Sequence, residues 1–282
     1  MGSAMQYTLS NEEFELFRRL IYDICGISLT ISKRELVKSR LTKRLTKVGI
    51  DTFNDYYKYV TKIDKTGKEL IHLIDSISTN KTDFFREKKH FDFLNTTLLP
   101  SLISSKAKDG NKKLRIWCAA SSSGEEPYTL AMTVFNHLKP NNGWDVKILA
   151  TDISTKILQI AINGIYKKEL LKDIPPGTIS AHFSSVIVEN TSCYKVKDHL
   201  RNIITFRRFN LMTPEFPFKN PFDFVFCRNV MIYFDPEIQD RLVSKFYDCL
   251  PKDGYLFIGH SETLSRSNAS FKYIQPAVYQ KY

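Results

Sequence analysis

The sequence predicts an α/β fold in which a doubly wound sheet follows an N-terminal domain made of helices alone. Two observations carry this prediction. Beyond residue 113, short apolar runs typical of buried strands alternate with segments of helical length. Up to about residue 75, by contrast, the apolar residues recur only at helical spacing. Ligands of a doubly wound sheet bind at the carboxyl ends of its strands, so the residues that follow each apolar run form the candidate site.

The N-terminal region begins with a helix whose start is marked by Ser10 and Glu13, which have the spacing of a capping box. A second helix over Ser32–Val48 is expected to end at Gly49, because glycine adopts the left-handed conformation that closes many helices. Two shorter helices are predicted over Thr52–Thr61 and Lys68–Ile77.

A strongly basic face is the main feature of the second helix. Apolar residues at helical spacing are expected to enter a core: Leu36, Val37, Leu41 and Leu45. The other faces carry seven cations against the single acid Glu35: Lys33, Arg34, Lys38, Arg40, Lys43, Arg44 and Lys47. This imbalance favours an electrostatic docking surface for an acidic partner over a merely solubilising face. No aromatic residues interleave with these cations, which argues against binding of single-stranded nucleic acid.

The loop from Trp117 to Thr129 joins the predicted strand Leu114–Trp117 to a helix. Residues 119–124 are all alanine, serine or glycine, so a ligand can approach the backbone, and the helix start offers free N–H groups. The loop has neither the lysine of a phosphate-binding P-loop nor the three glycines of a dinucleotide fingerprint.

Two carboxylates, Glu125 and Glu126, lie at the start of the predicted helix, where they would repel a pyrophosphate. They suit a cation or a hydroxyl donor instead. S-adenosylmethionine carries a sulfonium, an ammonium and ribose hydroxyls but no phosphate, so this cofactor fits the loop. The alternative is an ordinary strand–turn–helix with a solvated acidic cap.

A further acid closes the next predicted strand, Asp145–Asp152. In a βαβ unit, an acid at the end of the second strand accepts hydrogen bonds from ribose hydroxyls, which makes Asp152 a candidate. The alternative is that Asp152 caps the helix over Thr155–Asn163, although Ser154 is able to supply that cap.

Later segments complete the predicted architecture. A small antiparallel insertion is predicted over about 178–202, with two strands joined at Asn190-Thr191. The main sheet then resumes, and its strand ends bring Asn210 and Arg228-Asn229 to the candidate site.

The boundary between the two domains is placed near residue 78. A helical domain is predicted over 6–78 and the sheet domain over 79–282. The sheet domain is expected to begin with a polar bridging segment and a helix over Lys89–Leu99 that ends at Pro100.

Composition limits the class of protein. The chain has a formal charge of +11, which implies an acidic partner. No apolar run has transmembrane length and no signal peptide is evident. The five scattered cysteines predict buried, reduced thiols in a cytoplasmic protein. No C-x-x-C motif and no clustered histidines occur, so no metal is expected.

Several blocks occur in order along the chain: Arg40-Leu41 through Arg44-Leu45, Asn80–Glu87, Ser123–Tyr128, Ala150–Ile153, Phe226–Phe234 and Gly259–Glu262. Together they resemble the chemotaxis receptor methyltransferases, the CheR family, over nearly the whole chain from about Leu9. The resemblance implies a Rossmann-like S-adenosylmethionine-dependent methyltransferase sheet with an N-terminal all-α domain and a β-subdomain insertion. It also implies transfer of a methyl group to receptor glutamates in sensory adaptation, with S-adenosylhomocysteine as the product.

The resemblance implies roles for matching residues. Cofactor contacts are expected from Asn80, Thr82, Arg86, Glu126, Asp152, Asn210, Leu211, Arg228 and Asn229. Arg86 and Tyr233 are expected near the transferring methyl group. The basic helix is expected to face an acidic receptor helix bundle through Arg40, Lys43, Arg44 and Lys47. In some members the β-subdomain docks a receptor peptide, but here residues 184–193 lack the glycines of those members.

The chemistry is consistent with these residues. A glutamate with a pKa of about 4.3 is already ionised at neutral pH, so no general base is needed. Catalysis would come from positioning and desolvating the carboxylate. Arg86 would hold a carboxylate, either that of the substrate or that of the cofactor. Two other functions stay open, a nucleic-acid methyltransferase, which the charge favours, and a non-catalytic scaffold that binds cofactor or receptor.

Overall fold

The computed structural model describes residues 7–139, 143–265 and 270–282, so residue 6 of the predicted helical domain lies outside it. The N-terminal domain contains the helices α1 (Asn11–Cys25), α2 (Arg34–Val48), α3 (Phe53–Lys58) and α4 (Lys68–Ile77). A 3-10 turn, Ile31–Lys33, precedes α2, and a π-helical turn, Tyr59–Ile63, extends α3.

The predicted start of α1 and the predicted end of α2 are confirmed. Ser10 Oγ accepts the Glu13 backbone N–H at 3.1 Å, and Glu13 Oε2 accepts the Ser10 N–H at 2.9 Å, which completes the capping box of α1. Gly49 follows α2 with a φ of 71°, in the left-handed region. The core prediction for α2 is wrong at Leu36, which is 41% exposed, because this residue faces the cleft between the domains.

The second domain contains ten strands in its described part: β1 (Lys113–Ala119), β2 (Asp145–Asp152), β3 (Ile165–Lys167), β4 (Phe183–Val188), β5 (Thr191–Val196), β6 (Ile204–Arg208), β7 (Phe224–Cys227), β8 (Tyr255–Ile258), β9 (Phe271–Gln275) and β10 (Val278–Lys281). Its helices are α5 (Lys89–Phe93), α6 (Leu99–Lys108), α7 (Glu125–Phe135), α8 (Thr155–Asn163), α9 (Pro176–His182), α10 (Asp198–Arg201) and α11 (Pro236–Asp248).

Seven strands form one sheet in the order β6-β2-β1-β7-β8-β10-β9. The first five strands of this order are parallel, and β10 is antiparallel to both of its neighbours. The sequence runs outward from β1 to β2 and β6, and then returns to β7 on the other side of β1. This reversal confirms the predicted doubly wound sheet and places the candidate site at the carboxyl end of β1.

Both faces of the large sheet are buried, which explains its continuous apolar strands. Ile116 and Cys118 of β1 pack into a cluster with α6 and α7. Trp117 and Ala119 point to the opposite face and pack into a cluster with α11. The Trp117 indole N–H donates to Thr151 Oγ1 at 2.9 Å, so this buried polar group is satisfied.

The structure corrects two predictions in this domain. The helix that starts at Lys89 does not end at Pro100, because a π-helical turn over Leu94–Leu98 precedes α6 and puts the proline in a first helical turn, where it is tolerated. The hairpin turn lies at Glu189 and Asn190, one residue earlier than predicted, and both residues have a positive φ, of 46° and 61°.

A second, three-stranded sheet has the order β3-β5-β4 and is antiparallel. The predicted antiparallel insertion is therefore present, but its sheet includes β3, which lies before the predicted range 178–202. Three residues are too few for an alternating pattern to be recognised in a sequence.

All five cysteines are buried and free, as predicted. Among the described residues, no helix combines the length and the apolar character that crossing a bilayer requires.

Arg44 of α2 does not belong to an exposed basic face. Its guanidinium binds Glu69 of α4 through two hydrogen bonds of 2.5 Å, and the two side chains are only 12% and 5% exposed. The Tyr56 hydroxyl donates to the same carboxylate at 2.8 Å. This buried network joins α2, α3 and α4.

We therefore predict that Arg44→Ala lowers the free energy of unfolding by about 3–5 kcal/mol, because Glu69 would remain buried without its partner. Urea denaturation measures the change. The control is Lys43→Ala, which removes an exposed cation from the preceding position and should change stability by less than about 0.5 kcal/mol. Equal midpoints for the two variants would contradict the structural role of Arg44.

Candidate active site

A cleft at the carboxyl ends of β1, β2 and β7 lies between the two domains. The helical domain lines it with Cys25, Ile27, Ser28, Leu29, Lys33, Leu36, Val37 and Arg40. The connection between the domains adds residues 77–82 and Arg86. The sheet domain adds Ala120, Ser122, Glu126, residues 151–153, 209–211 and 228–230, Tyr233 and Phe234.

All of the predicted cofactor residues line this one cleft: Asn80, Thr82, Arg86, Glu126, Asp152, Asn210, Leu211, Arg228 and Asn229. Tyr233 lines it as well. Of the four predicted docking residues, only Arg40 reaches the cleft, whereas Lys43, Arg44 and Lys47 do not line it. Sequence analysis did not find the wall formed by the helical domain, because nothing local to α1 or α2 marks a residue that faces another domain.

The loop after β1 has an unusual backbone. Ala120 and Ser122 have positive φ values of 65° and 48°, and Gly124 has a φ of 100°. A Cβ on Gly124 would lie 2.7 Å from the Tyr166 hydroxyl and 2.9 Å from the Ala161 Cβ, so only glycine fits there. The small residues therefore allow a tight turn that directs the loop backbone toward the cleft.

Asp152 is placed by this loop and by the start of α8. Its Oδ2 accepts the Ser122 N–H and its Oδ1 accepts the Ser154 N–H, both at 2.9 Å. Ser154 Oγ accepts the Ile157 N–H and caps α8, so the interpretation of Asp152 as the helix cap is wrong. Burial raises the pKa of Asp152, while the backbone N–H groups oppose that change. Each carboxylate oxygen has a further lone pair, which suits a hydroxyl donor.

Arg228 lies between two carboxylates and is 1% exposed. Its Nη1 donates to Glu126 Oε2 at 2.8 Å, and its Nη2 donates to Glu87 Oε2 at 2.9 Å and to the Arg86 carbonyl at 2.6 Å. Asn229 Nδ2 donates to the other Glu87 oxygen at 3.0 Å. Two carboxylates and one guanidinium leave a net negative charge when all three are ionised.

The environments of the two glutamates differ. Burial raises the pKa of Glu126, against the opposing attraction of Arg228. Burial alone would also raise the pKa of Glu87, but the charge of Arg228 and the hydrogen bonds from Asn229 and Arg228 lower it to about 2. Glu87 is therefore ionised at any physiological pH, and its negative charge always pairs with Arg228.

Arg86 contrasts with Arg228. It is half-buried, and its Nη1 donates to the Lys81 carbonyl at 2.8 Å. No carboxylate of the described residues lies within ion-pair distance of its guanidinium. Among the arginines that line the cleft, Arg228 is therefore paired with carboxylates of the protein, whereas Arg86 is available to an incoming carboxylate.

Glu262 is a site residue to which sequence analysis assigned no role. This buried carboxylate accepts the backbone N–H groups of Asn229 at 3.0 Å, Ile232 at 3.2 Å and Gly259 at 2.5 Å. It thus holds the turn that carries Asn229 and Tyr233 into the cleft. Gly259 permits this approach, because a Cβ there would lie 2.5 Å from Asn229 Nδ2. The block Gly259–Glu262 was the only signal in the sequence.

The helical domain is joined to the cleft by backbone contacts. Asn210 Nδ2 donates to the Ile24 carbonyl at 2.6 Å, while Asn210 Oδ1 accepts the Met212 N–H at 3.0 Å. The Ser28 N–H donates to the Tyr233 carbonyl at 2.8 Å. These bonds fix the end of α1 against the residues that line the opposite wall.

His90 is fully buried behind Arg228, against the rings of Phe226 and Phe257. Glu87, His90 and His260 bring their ligand atoms within 4.8 Å of one another, a grouping that the sequence did not reveal. Both Glu87 oxygens already accept hydrogen bonds, from Arg228 and Asn229, so this carboxylate is poorly placed to ligate a metal ion. Burial lowers the pKa of His90 to about 3, and the charge of Arg228 adds to this effect.

Comparison with known proteins gives two family matches. The family described as "CheR methyltransferase, all-alpha domain" matches residues 12–78, and "CheR methyltransferase, SAM binding domain" matches residues 80–279. A chemotaxis protein methyltransferase of Borreliella burgdorferi is 42% identical over 279 residues, which cover 98% of this chain and 96% of the relative. The Escherichia coli chemotaxis protein methyltransferase is 36% identical over 272 residues, covering 96% and 91%. A probable one from Rhizobium etli is 40% identical, covering 87% and 90%.

The buried, neutral His90 generates a prediction for the dependence of stability on pH. Its pKa in the folded protein lies below the ordinary value of about 6.5, so the unfolded chain binds a proton first as the pH falls. The stability that His90 contributes is complete above pH ~6.5 and is lost from there toward pH ~3. Between pH 7.5 and pH 5, the free energy of unfolding should fall by about 2 kcal/mol more in the wild type than in His90→Phe. Urea titrations at both pH values test this, and parallel losses would refute it.

Proposed function

Because the chain belongs to the CheR methyltransferase family, we propose that it transfers the methyl group of S-adenosylmethionine to glutamate side chains of chemotaxis receptors. The match to the family's cofactor-binding domain and the near-full-length relatives make the chain an S-adenosylmethionine-dependent methyltransferase of chemotaxis. The proposal adds the acceptor, a glutamate carboxylate that becomes a methyl ester. One observation carries it, namely that Arg86 and Tyr233 line the same cleft and that Arg86 has no carboxylate partner among the described residues.

The residues of the cleft suit the cofactor. Asp152 keeps lone pairs for ribose hydroxyls, and the loop after β1 presents small side chains. The buried group of Glu87, Glu126 and Arg228 has a net negative charge when ionised, which favours the ammonium or the sulfonium of S-adenosylmethionine. When bound, S-adenosylmethionine supplies an electrophilic methyl group on its sulfonium.

The acceptor carboxylate is ionised at neutral pH, so there is no proton to remove before it reacts. One carboxylate oxygen forms a bond to the methyl carbon while the methyl–sulfur bond breaks, and the electron pair of that bond stays on sulfur. We propose that Arg86 orients a carboxylate for this displacement, either the substrate's or the cofactor's own. Tyr233 lines the same cleft, and the helical domain forms one of its walls, so a bound carboxylate would be held and partly desolvated there.

We propose that residues 6–78 dock on the acidic helix bundle of a receptor and that residues 79–282 carry out the transfer, in the cytoplasm. On α2, Lys43 and Lys47 are exposed, whereas Arg40 and Arg44 make internal contacts. Lys33 is exposed as well, near the mouth of the cleft. The lysines, rather than the two arginines, are therefore the docking residues that we propose.

The direct test is transfer of a labelled methyl group to purified receptor. We expect label in receptor protein that is released by mild base, because methyl esters of carboxylates are base-labile. Base-stable label would overturn the ester, and label in nucleic acid would replace the receptor as the acceptor. Absence of transfer with bound cofactor would favour a non-catalytic scaffold.

Asp152→Asn should weaken the binding of S-adenosylhomocysteine by about 1.5–3 kcal/mol, because a neutral amide is a poorer acceptor for ribose hydroxyls than a charged carboxylate. Isothermal titration calorimetry measures this change. The matched control is Ser154→Ala, which removes the cap of α8 and should cost about 1 kcal/mol of stability with little change in affinity. Unchanged affinity in a folded Asp152→Asn protein would reject the ribose contact.

The docking proposal predicts that Lys43→Glu combined with Lys47→Glu raises the apparent KM for receptor and leaves the affinity for S-adenosylhomocysteine unchanged. The attraction is screened over about 8 Å at physiological salt, so added salt should weaken the wild type more than the variant. Methylation kinetics at low and high salt provide the measurement. Receptor kinetics that are equal for the two proteins at low salt would leave α2 as a solubilising face only.

A further inference from the structure

We propose that Arg40 is a positioning residue of the cofactor site and takes no direct part in receptor docking. This inference rests on the proposed function and concerns how the cofactor cleft is held in shape. Arg40 is half-buried on α2, and its guanidinium reaches across to the end of α4. Its Nη1 donates to the Ile77 carbonyl and, at 3.3 Å, to the Ser78 carbonyl, while its Nη2 donates to Thr79 Oγ1 at 3.3 Å.

These contacts suit the chemistry of a helix end. The last carbonyl groups of α4 have no partners within the helix, and they carry the negative end of the helix dipole. The planar guanidinium satisfies several acceptors at once, which a lysine ammonium cannot do in the same geometry. Arg40 therefore closes α4 and fixes the direction in which the chain leaves it.

The chain that leaves α4 leads directly into the cleft, and residues 77–82 all line it. The Asn80 carbonyl accepts the Ser122 hydroxyl at 3.0 Å, which joins this segment to the loop that holds Asp152. The Lys81 carbonyl accepts Arg86 Nη1 at 2.8 Å. A shift of the segment would therefore move the loop after β1 and the available guanidinium together.

A docking residue on the same helix would need a free, exposed cation. Arg40 has its donors committed to the chain at 77–79 and faces the cleft between the domains. Arg34 offers a matched comparison on α2, because it bonds Asn11 and Glu35 and does not line the cleft. Arg34 and Arg40 thus have the same side chain on the same helix, but only Arg40 contacts the segment that leads into the cleft.

The test compares Arg40→Gln with Arg34→Gln in the full chain. S-adenosylhomocysteine is the probe in calorimetry, and the apparent KM for receptor is measured at saturating S-adenosylmethionine. We expect Arg40→Gln to raise the Kd for the probe about tenfold or more, with the receptor KM within about twofold of wild type. Arg34→Gln should change neither quantity. The Kd of Arg40→Lys for the probe should lie between those of the wild type and Arg40→Gln, because one ammonium replaces only some of the hydrogen bonds that the guanidinium donates.

Wild-type Kd for the probe in Arg40→Gln, with a raised receptor KM, would overturn the inference and return Arg40 to the docking surface. Should Arg40→Gln fail to fold, Thr79→Val removes one acceptor of the fork and should raise the Kd about two- to threefold, and an unchanged Kd there would count against the inference. A wild-type protein that does not bind the probe would refute the proposed function itself, so the two failures are distinguishable.

Discussion

The rest of the active site depends on the buried contact of Arg228 with Glu126 and Glu87. The Arg228 side chain is only 1% exposed, so its charge must be paired, since removing one partner of a buried ion pair typically costs several kcal/mol. Glu126 belongs to α7, Glu87 follows the connection between the domains, and Arg228 directly follows β7. One charge requirement therefore holds three segments of the cleft together. The same group leaves a net negative charge beside the proposed cofactor site.

In the helical domain, two arginines of α2 make internal contacts, whereas two of its lysines are exposed. Arg44 satisfies the buried Glu69, and Arg40 satisfies backbone acceptors at the end of α4. Both tasks use the planar fork of donors. Lys43 and Lys47 remain in solvent, where a flexible ammonium can attract an acidic surface over several ångströms. The charge of +11 is thus partly structural, and only its exposed share is available to a partner.

The helical domain also forms part of the cleft. Ser28 and Ile24 are hydrogen-bonded to Tyr233 and Asn210 at the opposite wall. The surface that we propose for receptor docking therefore belongs to the domain that forms one wall of the cleft. Because α2 lines the cleft, Arg40 on this helix is in a position to act on cofactor binding, as we propose.

Periodicity and strand ends alone determined the doubly wound sheet, the helical domain, the small-residue loop and the acid at Asp152, because each is a local pattern of apolar and polar residues. Strand ends also predicted Arg228 as a site residue, and the motif blocks added Arg86 and Tyr233. Only the tertiary structure decided which arginines are neutralised, that Glu262 holds the turn at Asn229, and that α1 and α2 wall the cleft. Those facts depend on partners far apart in the chain. A residue's own neighbours in sequence do not encode which distant carboxylate or carbonyl will face it.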